Sequence, residues 1–267
     1  MSSRSGYIWG VILLVIGALA LMANLGLLNT LDWNYVWPLV LIVIGVWLLI
    51  VRAVPGGSGT RGGFDRSEPA DGLGSARLHV ALGAAKIELR SAPLGDLLFR
   101  AHVEHGGRAP EVRLDRSTGT LYIGHDGAWI LGGWGRVRLD MQVSDSIPWA
   151  LDIDSGAVKG TLNMAGGRVS SLESDAGSTR LELSLPRPSG VVPVRVDGGS
   201  VRVDVRRPSG VAVVVNTTGG SIRFFADGVR QSAFGAVSWS TPGAADAPDR
   251  YELRLNGGSV NLDLEQG

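Results

Sequence analysis

The same corner is written five times in the C-terminal part of this chain. Asp154-Ser155-Gly156, Asp175-Ala176-Gly177, Asp197-Gly198-Gly199, Thr218-Gly219-Gly220 and Asn256-Gly257-Gly258 each interrupt alternating apolar and polar residues, and their last glycines recur after 21, 22, 21 and 38 residues. Strict alternation, as in Leu181, Leu183 and Leu185 against Arg180, Glu182 and Ser184, marks a strand with one buried face. A fixed period near 21 residues makes each unit one rung of a stack. A lone rung cannot bury its apolar edge, whereas rungs about 4.8 Å apart share one core.

Counted from each corner glycine, the second residue is Val158, Thr179, Val201, Ile222 or Val260 and the fourth is Gly160, Leu181, Val203, Phe224 or Leu262; both positions are expected to face inward. Pro188-Ser189-Gly190-Val191 and Pro208-Ser209-Gly210-Val211 read as return turns of successive rungs. The glycines Gly156, Gly177, Gly199, Gly220 and Gly258 are expected at corners where the chain takes positive φ, which accounts for a chain with 39 glycines. The long last interval implies an insertion at about 227–250, expected to bulge as a loop. The same grammar recurs more loosely around Gly83 and Gly119.

The N-terminal part follows a different rule. Residues 7–28, YIWGVILLVIGALALMANLGLL, carry no charge, and about 20 apolar residues cross the hydrocarbon core as a helix. After NTLDWN, a second uncharged run occupies 35–51, giving a helical hairpin over 1–54 with spans at about 7–28 and 35–54. Tyr7, Trp9, Trp33, Tyr35 and Trp37 fall at the ends of these runs, the headgroup level that aromatic rings prefer. A cleaved signal peptide is the rival reading; it lacks a small-residue cleavage site and is followed directly by a second span. Arg4 precedes the spans, Arg52, Arg61 and Arg66 follow them, and the connecting turn holds Asp32. The positive-inside rule then puts both termini in the cytoplasm of a two-span membrane protein. Residues 55–72, PGGSGTRGGFDRSEPADG, read as a flexible tether with little to bury, leaving 73–267 as the β-repeat domain.

Charge and residue type narrow the function. Formal net charge is zero, so no global field draws the chain to nucleic acid. Cysteine is absent, which removes disulfides, cysteine zinc sites and thiol nucleophiles. His79, His102, His105 and His125 form no His-Glu-x-x-His pattern, and neither a nucleophile elbow nor a phosphate loop occurs in a strand-to-helix context. The chain is read as non-enzymatic and without cofactor. Asp152 and Asp154, one strand period apart, are the pair a hydrolase on such a scaffold would use.

Stacking converts offsets into stripes. Three residues after the glycines stand Lys86, Lys159, Arg180, Arg202 and Arg223, and two further on stand Glu88, Glu182, Asp204 and Asp263. The basic stripe suits anionic lipid or an acidic partner; the acidic one beside it suits a solvated, self-paired surface. Asp154, Asp175 and Asp197 either bond their own turns or face a calcium ion. The apolar, glycine-rich excursion holding Trp129, Ile130, Leu131 and Trp134 caps the stack or contacts a partner.

WGVILLVIGALALMANLGLL followed by WPLVLIVIGVWLLI resembles the LiaI/LiaF-like transmembrane region of bacterial envelope-stress proteins. The glycine-cornered repeats resemble the associated toast-rack β-domain, also seen in adhesin-like proteins. The resemblance implies a two-helix membrane hairpin ahead of a β-solenoid of the toast-rack kind, similar to a right-handed β-helix. It implies a membrane-anchored regulatory protein at the lipid bilayer, in some relatives one that restrains a sensor histidine kinase. Another membrane or signalling protein is then the expected partner, and homo-oligomers are compatible with it. The alternative is an adhesin-like surface protein with the β-domain outside the cell.

Overall fold

The computed structural model describes residues 61–125 and 136–267, all within the compact unit Ser58–Gly267. The expected spans at 7–28 and 35–54, and Trp129, Ile130, Leu131 and Trp134, lie outside the described residues. Among the described residues no helix is long and apolar enough to cross a membrane.

Twelve strands form one sheet. The regular rungs are β2 (Ala76–Ala92), β7 (Pro148–Asn163), β8 (Arg168–Ser184), β9 (Val191–Arg207), β10 (Ala212–Ala226) and β12 (Arg250–Gln266). The irregular ones are β1 (Arg61–Pro69), β3 (Leu97–Gly106), β4 (Glu111–Asp115), β5 (Thr120–Gly124), β6 (Val137–Ser144) and β11 (Val229–Ser240). The order is β1-β3-β6-β2-β7-β8-β9-β12-β10-β11, with β5 beside the first part of β2 and β4 beside β5.

The connections dictate the shape of a rung. β7 and β8 are parallel, yet only residues 164–167 join them. Parallel neighbours in a flat sheet need a crossover of about a dozen residues, and four linking residues reach at most about 18 Å. The strand must therefore bend back within its own length. The bend appears as a slip in burial: β8 buries Leu172, Ser174 and Ala176, leaves Gly177 and Ser178 outside, then buries Thr179, Leu181 and Leu183. β2, β7, β9, β10 and β12 turn at the equivalent point. Each rung thus has a first wing, a corner and a second wing, and both wings face one core. As expected, Val158, Thr179, Val201, Ile222 and Val260 are buried, as are Gly160, Leu181, Val203, Phe224 and Leu262.

The corner glycines do line up, but for another reason than positive φ. Gly156, Gly177, Gly199, Gly220 and Gly258 are absent from the positive-φ residues, which include Gly190 (76°) and Gly210 (75°) of the return turns. At the corners the constraint is close approach. A Cβ on Gly156 would lie 2.6 Å from the Gly83 carbonyl oxygen, on Gly177 2.9 Å from that of Gly156, and on Gly199 2.9 Å from that of Gly177. Gly258 and Gly220 continue the column at 2.9 and 3.1 Å.

The order of rungs departs from the order of the repeats. β12 lies between β9 and β10, parallel to both, so Gly258 stands between Gly199 and Gly220. Residues 208–211 bridge two strand spacings, about 9.6 Å, well within reach of four residues. The expected loop at 227–250 is largely a strand: β11 runs antiparallel along β10 from Val229 to Ser240. It stays there because Val237 is buried, and Trp239 packs on the core with its ring 6.0 Å from that of Phe224.

Two further expectations change. Within the 55–72 tether, Arg61–Pro69 pairs with β3 along its length; an edge strand needs only backbone pairing, and Phe64 packs against the core. Gly119, at φ 67°, belongs to the turn between β4 and β5 and is not a corner. The rung beside β2 is instead split. β5 pairs the first wing up to Ala81, and β6 resumes opposite Ala85, on either side of the corner.

Candidate functional site: a basic row beside an acidic row

The outer face of the second wing carries the charges, because the inward positions are taken by the core and the intervening residues must point to water. At one level of the ladder stand Arg138, Lys86, Lys159, Arg180 and Arg202 on β6, β2, β7, β8 and β9. Neighbouring strands lie about 4.8 Å apart, so this is an unbroken line of five cations. Arg138 extends the stripe read from sequence; it too stands three residues after a glycine, Gly135, which is not counted among the corners. Arg223 is separated from the line, since β12 places Asn261 between Arg202 and Arg223.

Two residues further out stand Asp140, Glu88, Thr161, Glu182, Asp204 and Asp263. At the β6 and β2 end the rows neutralise one another: Lys86 Nζ lies 2.8 Å and an Arg138 nitrogen 3.0 Å from Glu88, and Arg90 reaches Asp140 at 3.1 Å. The hydrogen bond and charge of Lys86, with Arg138 and Arg90 behind it, hold the Glu88 carboxyl below its ordinary range. Lys159, Arg180 and Arg202 are exposed and make no ion pair among the described residues. From β7 to β9 the basic row is thus free of contact ion pairs among the described residues, with Glu182 and Asp204 two residues away on the same face.

At its β6 end the row opens into a groove of about 1060 Å³ on the corner side, lined by Lys86, Lys159, Arg136, Arg138, His102 and His105 among others. His102 Nδ1 donates to the Asp65 carboxylate at 2.8 Å. That hydrogen bond, with the charges of Asp65, Glu104 and Asp140, raises its pKa above the ordinary histidine value against a smaller desolvation effect.

At the other end, Asp263 is the poorly solvated member of the acidic row, and its Oδ1 has no hydrogen-bond partner. Burial first, then the charges of Glu265 and Asp204, raise its pKa, with Arg230 opposing. A carboxyl whose folded pKa is raised favours folding below its unfolded pKa, and that contribution is lost as pH rises through the folded value. Asp263→Asn is accordingly expected to stabilise the domain at pH 7 by about 0.5 kcal/mol, the scale of a cross-strand like-charge contact. The gain should vanish at pH 3; equal melting shifts at both pH values would refute this account.

The first wing carries a shorter line, of carboxylates. Asp154, Asp175 and Asp197 stand in register, and Asn256 donates to Asp197 at 2.7 Å. Among the described residues no three histidines or carboxylates are grouped to hold a metal ion. Asp152 is bonded to His79 Nδ1 at 2.8 Å, and His79 stacks on Tyr122 with centroids 5.6 Å apart. That pairing occupies one of the two carboxylates, Asp152 and Asp154, that the hydrolase reading would use.

Comparison with known proteins agrees with this architecture. Residues 7–49 match the LiaI-LiaF-like transmembrane region, and residues 58–206 match the N-terminal domain of toast_rack. A crystal structure of a candidate cell adhesion protein from Clostridium sporogenes superposes with a TM-score of 0.59 at 14% identity, covering 78% of this chain and 100% of that one. A candidate adhesin from Bacteroides fragilis gives a TM-score of 0.22 at 7% identity, over 76% of this chain and 98% of that one. No curated protein matches the chain.

Proposed function

Because the chain belongs to the toast-rack family and carries a LiaI/LiaF-like transmembrane region ahead of the toast-rack domain, we propose that it is a non-catalytic, membrane-anchored accessory of a bacterial envelope-stress system. In this reading two spans hold the β-stack at the cytoplasmic face, where it docks a membrane or signalling protein of the sensor-kinase kind. The observation that carries the reading is the line Arg138, Lys86, Lys159, Arg180 and Arg202, whose last three members are free of ion pairs among the described residues. Such a line complements an acidic surface and steers association more than it adds affinity.

The test has two arms. A reporter active only outside the cytoplasm, fused after Gly267, is expected to stay silent beside an active cytoplasmic fusion. Replacing Lys159, Arg180 and Arg202 with glutamate is expected to reduce capture of the crosslinked partner at least about tenfold without changing the melting temperature. External reporter activity would overturn the cytoplasmic reading. It would favour a second one, an adhesive module outside the cell, for which the likeness to the Clostridium sporogenes protein is the motive.

A further inference from the structure

Three strands form the open edges of the sheet among the described residues, and they are not equivalent. β1 carries Asp65, Arg66 and Glu68 and ends on Pro69, while β4 has five residues, of which Glu111, Arg113 and Asp115 are charged. Charge, proline and shortness are the devices by which natural sheets blunt an edge. β11 is blunted least. Its twelve residues, VRQSAFGAVSWS, contain one charge, Arg230, and no proline, and they leave about 40 Å of edge open. Two of the three exposed large hydrophobic side chains among the described residues belong to it, Val229 at 42% and Phe234 at 85%.

The shape of this edge selects what can pair with it. β11 follows the corner of the stack: Gly219 faces Gly235 and Ile222 faces Ala233, so Phe234 alone stands opposite Gly220 and Ser221 of β10. One arm, Val229–Ala233, lies along the second wing, and the other, from Gly235 to Ser240, along the first. A straight peptide can pair with one arm. A second copy of this chain, bent at the same residue, can pair with both when a two-fold axis passes through the corner at Phe234. That operation exchanges the arms, runs the strands antiparallel and keeps inward side chains inward.

We infer that β11 is a homodimerisation edge, in which two stacks join end to end through antiparallel β11 pairing centred on Phe234. Phe234 lies beside its own counterpart, Val229 meets Trp239 of the second copy, and Gln231 meets Val237. Arg230 faces Ser238 of the second copy, and the two Arg230 side chains are about 26 Å apart along the ladder. No like charges meet. The pairing gives the two exposed hydrophobic side chains aromatic or apolar neighbours. It is independent of which side of the membrane the domain faces.

The chain has no cysteine, so one introduced thiol reports this contact without background. In the full-length protein in membranes, Phe234→Cys under mild oxidation is expected to give a covalent dimer, since directly opposed positions have Cα atoms about 4.5–5.5 Å apart. Ser240→Cys, about 40 Å from its counterpart along the ladder, should remain uncrosslinked. The double variant Val229→Cys with Trp239→Cys should crosslink where each single variant does not. In detergent, Phe234→Asp should shift the dimer to monomer by light scattering with an unchanged melting temperature. Absence of the Phe234→Cys dimer, equal crosslinking at 234 and 240, or a disulfide to a different protein would each overturn the inference.

Discussion

Gly198→Ala is expected to lower the melting temperature of the toast-rack domain by about 6–12 °C, from a loss of about 3 kcal/mol. Gly198 is the residue just before the corner glycine of β9. An ideal Cβ there falls 2.3 Å from the carbonyl oxygen of Ala176 on β8, with Val201 Cγ2 at 3.4 Å. The obstructing atom belongs to a backbone held in the ladder between β7 and β9. It cannot swing aside as a side chain would. Relief requires spreading rungs whose spacing of about 4.8 Å is set by their hydrogen bonds. Gly74→Ala is the matched control, because nothing lies within 4 Å of its Cβ position and its φ is ordinary; its melting temperature should stay within about 2 °C of the parent. Thermal melts of the two variants followed by circular dichroism decide the matter. If they unfold together, contact between neighbouring corners is not what demands glycine.

Ending the chain at Asp249 is expected to unfold the C-terminal part of the stack while leaving its other end in place. The deletion removes β12, whose Tyr251, Leu253, Leu255, Val260, Leu262 and Leu264 are all buried. Six such side chains contribute on the order of 10 kcal/mol of burial before the entropy of ordering the strand is set against it. The Tyr251 hydroxyl also donates to the Pro186 carbonyl at 2.8 Å, a bond that ties the strand to the return turn after β8. β9 and β10 would be left two strand spacings apart with a slot between them. In a stack each rung is stabilised by its neighbours, so amide protection in β10 and β11 should fall to near the unprotected level while β2, β7 and β8 keep theirs. Hydrogen exchange by mass spectrometry reads both regions in one experiment. Retained protection in β10 would mean that it closes directly onto β9, and that the intercalated strand is dispensable.

Much of the molecule was legible in the residues. Alternation in Leu181, Leu183 and Leu185 identified the inward face, and the column from Gly156 to Gly258 identified which residues share a level, so the basic stripe through Lys159, Arg180 and Arg202 followed by counting. The counting missed one member, because Gly135, three residues before Arg138, belongs to the apolar 127–135 stretch that reads as an excursion from the stack. Only the pairing of β6 with β2 shows that Arg138 shares a level with Lys86. Arg61–Pro69 has the composition of a tether and still forms a strand, because pairing at an edge uses backbone groups that every residue but proline possesses. Val229–Ser240 was hidden in a long interval between repeats, with Val237 its one buried large side chain.

The sequence by itself determined the unit: a strand with a corner, its inward and outward faces, its register against any other such strand, and the absence of thiol chemistry. Only the tertiary structure decided which units touch. The edges of all regular rungs offer the same backbone donors and acceptors at the same levels, so a period specifies equivalence and leaves adjacency open. Adjacency was settled by contacts distant in sequence. β11 packs Trp239 against Phe224 on the outer side of β10, Tyr251 reaches back to Pro186, and β12 comes to rest between two rungs that precede it in the chain.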